Sequence, residues 1–463
     1  MRDSTKSRFF IFFRPGRFFL VALGVFLLGP VLCAAKKEKA PIIGNPLKVL
    51  KPLVWDLELA SFWLAELAHR REPFGEFTRP PDIADRRSLA GKARLFEKEI
   101  ERYFLRDSGR LFWSQIPNDL GDMAIWQGYY TAYRAFEYAV TKSTRTLGFL
   151  KKALQGHVLL QAGYGEAYLV RGVDPAAGDA LRHPFYHEGH PYSWVDDASG
   201  SSLSGIVFGL NAAYQFGDAE ARGEAKRLIV ELAGNFIKHN YRLLNTDARP
   251  SRWGDHRPSG WALTPPRLLT AIALLNLARA AGGDEVFSVE KNNFFSNAIV
   301  RKIAASGEVH FLWYAKEFNQ HLAFMNYYVL LATEDDPAWR GYWMKGLDKL
   351  MGKFCREGNS FFAFVYGGYF TLEPSAKEKA VQMLEEFRFP KRREDVRNSE
   401  DESIEKVGRW SRQPLPAWRR PNTDIIWQRN PYELDGHAGN RYSGVDFLLA
   451  YWMGRHLGII GTN

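Results

Sequence analysis

From residue 52 onward the chain keeps returning to one pattern: apolar residues at three- and four-residue spacing, in segments of helix length, parted by short polar joints. PLVWDLELASFWLAELAHR (52–70), LAGKARLFEKEIERYFL (89–105), MAIWQGYYTAYRAFEYAVTK (123–142) and LGFLKKALQGHVLLQAG (147–163) carry it, the last running into a glycine stop. SLSGIVFGLNAAYQF (202–216) and AEARGEAKRLIVELAGNFIKHN (219–240) read as a helical pair across a Gly-Asp joint. PPRLLTAIALLNLARAAG (265–282) places proline in the first turn, where its missing N–H is no loss. Further helices are predicted near 288–304, 318–333, 338–355, 374–387 and 443–457. Roughly a dozen helices, mostly paired, in a body of ~400 residues suit a closed ring of helical hairpins. The expected fold class is therefore all-α, an (alpha/alpha) toroid with few short strands. In such a ring the inner helices meet at a funnel, and the loops at one end build the site.

Strand signals are few: YLVRGV (168–173) and FFAFVYGGYF (361–370), the second equally readable as a buried helix. No composition break divides the body, so the expected domains are residues 1–35 as signal peptide or membrane anchor, 36–84 as an N-terminal extension with a first helix, and 85–463 as the toroid. The charged run KRREDVRNSEDESIEKVGRWSRQPLPAWRRP (391–421) reads as a surface excursion from it.

The leader has a basic region, the apolar run FFLVALGVFLLG (18–29), Pro30 and then VLCAAKKEKA. A secretory signal cut after Ala34 or Ala35 fits, as does an uncleaved anchor, which would also associate the chain with a membrane. Cys33 adds a lipoprotein reading, against which Leu32 is bulky where a small residue is wanted. All three readings export the body, to the periplasm or the outer face of the envelope. The net charge of +10 lies partly in this leader, and elsewhere no basic stripe or recognisable module points to nucleic acid. No Cys/His set has zinc spacing, and no phosphate loop, dinucleotide fingerprint or G-x-S-x-G elbow is present, so neither metal nor cofactor is expected.

Polar residues gather where the helical pattern breaks. NDLGDMAIWQGYY sets Asp119 and Asp122 before an aromatic helix that carries Trp126 and Tyr129. Asp122 reads either as an N-cap or as a site acid. RGVDPAAGDALRHPFYHEGHPYSWVDDASGSS holds His183, His187, Glu188, His190, Trp194, Asp196 and Asp197 in a segment that reads as a pocket-covering loop, with Ser199, Ser201 and Ser202 as turn residues. NTDARPSRWGDHRP contributes Arg252 and Trp253. EFNQHLAFMNYY contributes His321, one turn from Met325 and as readily a core histidine as a functional one. IIWQRNPYELDGHAGNRYSGVDF contributes Asp435 on a glycine-rich loop.

Carboxylates, histidines and aromatics without a nucleophile motif suit carbohydrate chemistry. One carboxylic acid can protonate a leaving oxygen while a second activates water, given ~6.5–9.5 Å between them, and indole and phenol faces stack on sugar rings.

GDMAIWQGYYTAYRAFEYAVTKS, SWVDDASGSSLSGIVFG, YRLLNTDARPSRWG, the run from HLAFMNYYVLLATEDDPAWRGYW to REGNSFFAFVYG, and GVDFLLAYWMGRHLG occur in this order. Together they resemble an uncharacterised group of exported bacterial proteins of the six-hairpin glycosidase-like superfamily, over residues 85–458. The resemblance implies a six-hairpin toroid. It leaves the reaction open, because the superfamily includes inverting glycosidases, unsaturated-uronide hydrolases and sugar epimerases, with polysaccharide lyases in related toroids. Trp194, Asp197, Ala198, Ser199 and Gly205 match the family pattern, whereas Ser201 and Ser202 stand where acids are expected and Ile206 where histidine is.

The expected function is an exported glycoside hydrolase-like protein acting on envelope or extracellular polysaccharide, with Asp122 and Asp197 as the acid/base pair and Asp196 beside them. Trp126, Tyr129, Trp194 and Trp253 are the expected sugar platforms, and Arg252, His321 and Asp435 further substrate contacts. Two rivals stay open: a glycan-binding scaffold without catalysis, and a lyase or epimerase using His321 or His187 with a tyrosine.

Overall fold

Ser88 caps the first helix of the described chain, its hydroxyl accepting from the Gly91 N–H at 3.1 Å. A computed structural model describes residues 87–461 apart from 118, 176–182, 258–264, 310–317, 392–413, 416, 418–419, 421–424, 427–430 and 432–439. By internal contacts these residues belong to one unit, Arg70–Asn463. They are mostly helical, with a few short strands. The helices are α1 (Leu89–Glu99), α2 (Met123–Thr141), α3 (Thr144–Leu160), α4 (Gly200–Phe216), α5 (Ala219–Lys238), α6 (Pro265–Ala280), α7 (Glu285–Ser296), α8 (Ala298–Ser306), α9 (Phe318–Thr333), α10 (Pro337–Phe354), α11 (Ser360–Gly367), α12 (Pro374–Glu386) and α13 (Val445–His456).

These helices fall into two alternating classes. In α2, α4, α6, α9, α11 and α13 nearly every side chain is buried, as in the unbroken run from Leu268 to Ala278 of α6. The helices between them bury a single stripe. In α5 it is Ala221, Ala225, Leu228, Ile229, Leu232, Ala233 and Phe236. A helix apolar all round must be surrounded by protein, whereas a striped one covers a core and faces water. Accordingly α2 packs on α4, α4 on α6, α6 on α9, α9 on α11, α11 on α13, and α13 on α2, each also contacting a striped partner.

The buried helices run in the same direction. Ser204 meets Thr270 near the starts of α4 and α6, and Tyr214 meets Ala280 near their ends. Thr270 bonds Asn326 and Asn276 bonds Thr333, which sets α6 beside α9 in the same sense. Between α2 and α4 the approach is backbone to backbone: a Cβ on Gly128 would lie 1.9 Å from the Gly205 carbonyl oxygen. Further along, Phe136 lies 5.1 Å from Phe216, so α2 and α4 are also parallel. Phe136, Phe216, Tyr328 and His456 converge at the C-terminal ends of α2, α4, α9 and α13 and close that end with aromatic contact. The N-terminal ends of the buried helices are thereby gathered at the other.

The strands are β1 (Leu105–Arg106), β2 (Leu111–Phe112), β3 (Gln115–Ile116), β4 (Gly172–Asp174), β5 (His183–His187), β6 (His190–Val195), β7 (Arg242–Leu244), β8 (Pro250–Asp255) and β9 (Arg441–Tyr442). They form small antiparallel ribbons, β1-β2, β3-β9, β4-β6-β5 and β7-β8. Two of these, β4-β6-β5 and β7-β8, immediately precede α4 and α6 in the chain.

Several expectations change. The segment 361–370, open between strand and buried helix, takes the helical reading through Gly367, and burial on all sides explains why its period did not decide. Within 168–173 only Gly172 and Val173 are in a strand. The expected helix 89–105 ends at Glu99 and passes through a π turn, Ile100–Phe104. The expected helix 288–304 is two helices, α7 and α8, divided at Asn297, whose side chain caps the second. The predicted loop before Asp196 is largely a β-hairpin, turning through Glu188 and Gly189 at φ of 50° and 79°. The leader, the 52–70 helix and most of the charged excursion lie outside the described residues. No described helix is long and apolar enough to cross a membrane.

Candidate functional site

The VDDASGSS segment contains both a helix cap and free acids. Ser199 is the N-cap of α4, and with Ser202 it forms a reciprocal capping box, so the amides of the first turn are satisfied by serine hydroxyls. Asp196 and Asp197 are therefore not needed as caps. Asp196 serves the neighbouring ribbon. Its carboxylate accepts from the Thr246 hydroxyl at 2.6 Å and from the Thr246 N–H, with His183 3.7 Å away. Asp197 sits in the left-handed region at φ 71°, its N–H donating to Asn245 Oδ1 at 3.0 Å. Its Oδ1 accepts from the Arg252 N–H at 2.7 Å and the Ser251 hydroxyl at 3.1 Å. Its Oδ2 accepts no hydrogen bond among the described residues.

Asp122 stands at the head of α2. It occupies the N-cap position, yet its side chain makes no capping bond. Asp119 accepts from the Gly121 N–H instead. Burial raises the Asp122 carboxyl above the ordinary aspartate range, Asp119 adds to the rise, and Arg171 opposes it.

Arg171 links the segments that carry the two aspartates. It lies just before β4, where its own N–H donates to Val195 O and its carbonyl accepts from the Ala124 N–H. Its Nε donates to Gly121 O. Its Nη2 is 3.8 Å from the Asp122 carboxylate, and its Nη1 donates to Asp197 O at 3.5 Å. One guanidinium thus spans the heads of two neighbouring buried helices and touches the segment bearing each acid.

The expected platforms differ in accessibility. Trp253 is 42% exposed on β8 with the Arg252 guanidinium 4.6 Å over its ring. Trp126 is mostly buried, edge-on to Tyr129 at 5.3 Å. Tyr129 is fully buried, and burial together with the Asp122 charge pushes its phenol well above the ordinary range. Trp194 is partly buried and already stacked on Tyr164 at 4.5 Å and His183 at 5.1 Å. His321 is fully buried, 4.6 Å from Phe362. His187 is on the outer hairpin, 3.9 Å from Glu188. Asp435 lies outside the described residues. Among the described residues no cluster of three His, Cys, Asp or Glu could hold a metal.

Four residues not singled out from sequence, Arg171, Asn245, Ser251 and Arg267, complete the site together with His256 of the NTDARPSRWGDHRP stretch. Arg171, Asn245 and Ser251 hold the aspartates, and His256 and Arg267 lie against Gly200 at the head of α4. Burial pushes the His256 imidazole down to about 4. The one local signal was Arg171 itself, a charge set in the apolar run YLVRGV. The sequence matches no family model and no curated protein.

Proposed function

We propose that the buried helices form the inner wall of a six-hairpin toroid, and that the chain is an exported glycoside hydrolase-like protein acting on polysaccharide at the end where those helices begin. The observation that carries this is the Asp122–Arg171–Asp197 arrangement, in which one guanidinium lies 3.8 Å from the Asp122 carboxylate and donates to the Asp197 backbone carbonyl at 3.5 Å, while neither aspartate side chain caps a helix. The cycle of helix contacts from α2 through α13 and back to α2 supports the toroid.

In this reading Asp122, whose carboxyl burial holds in the protonated form to higher pH, is the general acid and protonates the glycosidic oxygen as the C–O bond breaks. Asp197, anchored through one oxygen, offers the other to a water that attacks the anomeric carbon and gives up its proton. Asp196, fixed to Thr246, positions the ribbon beside it. Trp253 is the sugar-stacking surface open to solvent.

The test is Asp122→Asn and Asp197→Asn in an unchanged fold, assayed for reducing ends on a panel of polysaccharides. Each substitution is expected to lower turnover at least ~100-fold, the scale of lost general acid–base catalysis. Full activity in both variants overturns the assignment. A second reading, glycan binding without turnover, is favoured by Ser202. It is buried in the capping box where the resemblance places an acid. Binding by the unaltered protein with no product formed decides for it.

A further inference from the structure

Resting on the glycan reading above, we infer that the sugar received beside Asp197 is an acidic one, its carboxylate bound by Arg252 and its ring stacked on Trp253. Several arginines are neutralised at short range: Arg110 by Asp107 at 2.7 Å, Arg279 by Asp335 at 2.7 Å and, on the ribbon that carries Arg252, Arg257 by Asp255 at 2.6 Å. Arg252 is exposed and has no carboxylate within 4.0 Å among the described residues. Arg171 approaches one no closer than 3.8 Å. Arg267, partly buried, donates among the described residues to the Asp255 backbone carbonyl at 3.4 Å. The N-terminus of α4 adds its partial positive charge at the same place. Of these cations, Arg252 is the one left without a nearby carboxylate among the described residues, since Asp122 faces Arg171 and the Asp255 charge favours Arg267.

Position makes Arg252 the receiving group. Its backbone N–H holds Asp197 Oδ1 at 2.7 Å, so its side chain starts beside the proposed catalytic carboxylate. Its guanidinium lies over the Trp253 ring at 4.6 Å. Stacking uses the guanidinium face and leaves the in-plane N–H fork for a planar, bidentate acceptor such as a carboxylate. Trp253, 42% exposed, is among the few large apolar side chains left open to solvent among the described residues. A ring bearing a carboxylate matches both neighbours, whereas a neutral sugar would leave the fork unmatched.

The experiment is affinity electrophoresis of the Asp122→Asn protein, which keeps the glycan intact. The gels carry polygalacturonate, alginate, heparin, dextran, laminarin or xylan. The expected result is retardation by at least one of the carboxylated gels, polygalacturonate or alginate, and none by neutral dextran or laminarin. Adding Arg252→Ala should weaken it about tenfold or more, the scale of one lost charge-assisted pair, and Arg252→Lys should recover only part. Trp253→Ala should also weaken it. Arg249→Ala, which removes an exposed arginine of the same ribbon that pairs with Asp247, should not. Retardation by neutral gels that Arg252→Ala leaves unchanged overturns the inference while the glycan reading stands. Retardation by heparin alone overturns it in favour of a sulfate or general polyanion surface. No retardation by any gel removes the inference and the glycan reading together.

Discussion

The N–H of Asp197 donates to the side-chain oxygen of Asn245 at 3.0 Å, and this bond spans the two segments that build the acidic edge of the site. Asp197 lies at φ 71°, a region that aspartate visits more readily than most residues but still at a cost. The amide of Asn245 and the N–H of Arg252 grip it from both sides, one at its backbone and one at its carboxylate.

Asn245→Ala should therefore destabilise the fold by about 1–2 kcal/mol, because it strands a partly buried N–H beside a strained backbone. Asn245→Asp, which keeps an acceptor, should cost less. Urea denaturation of the three proteins measures the difference. Equal midpoints for Asn245→Ala and the unaltered chain would show that the bond does not hold Asp197.

The two helix heads of the site should respond in opposite ways to truncation. Ser199→Ala removes a capping box and should cost about 1 kcal/mol. Asp122→Ala removes a carboxylate that caps nothing and that burial opposes, so stability at pH 7 should stay level or rise. Thermal melts of both variants check this. A loss at Asp122 as large as that at Ser199 would make Asp122 a structural acid.

Glu97 on α1 makes a pH-dependent contribution away from the site. Burial, then the charge of Glu137, raise its carboxyl to about 7, against the pull of Arg134 and of the Trp452 indole N–H at 3.0 Å, with Glu101 adding to the rise. The folded state thus keeps this proton over a range where the unfolded chain has released it. Stability from this group is complete below about 4.5 and declines as pH rises towards 7. Glu97→Gln should match the unaltered protein at pH 4 and exceed it at pH 8, by at most about 3 kcal/mol. Chemical denaturation at both values is the check, and an equal difference at each would exclude titration of Glu97.

Helices were legible wherever one stripe had to be buried. The capping residues, prolines and glycines around α3, α5, α6 and α12 put their ends within a few positions of the periodic signal. The period failed where burial was complete, as in Ser360–Gly367, and where a proline- and histidine-rich segment folded back as the hairpin of β5 and β6. There the register comes from Trp194, Tyr164, Phe185 and Tyr192 packing together, contacts that no local propensity encodes.

The site divides along the same line. Asp122, Asp197, Arg252 and Trp253 were visible as polar or aromatic residues at breaks in an apolar pattern, because a break of that kind is local. Which aspartate would be free was not visible: capping fell to Ser199 and Asp119, a choice made by backbone geometry over a few residues. Nor was the bridge. Arg171 lies 49 and 26 positions from the two aspartates, and it reaches the Asp122 carboxylate and the Asp197 backbone because two glycines, Gly128 and Gly205, let α2 and α4 approach until their heads adjoin. Local pattern thus specified the helices and the inventory of acids and rings. Backbone contact between distant helices specified which of those groups face one another.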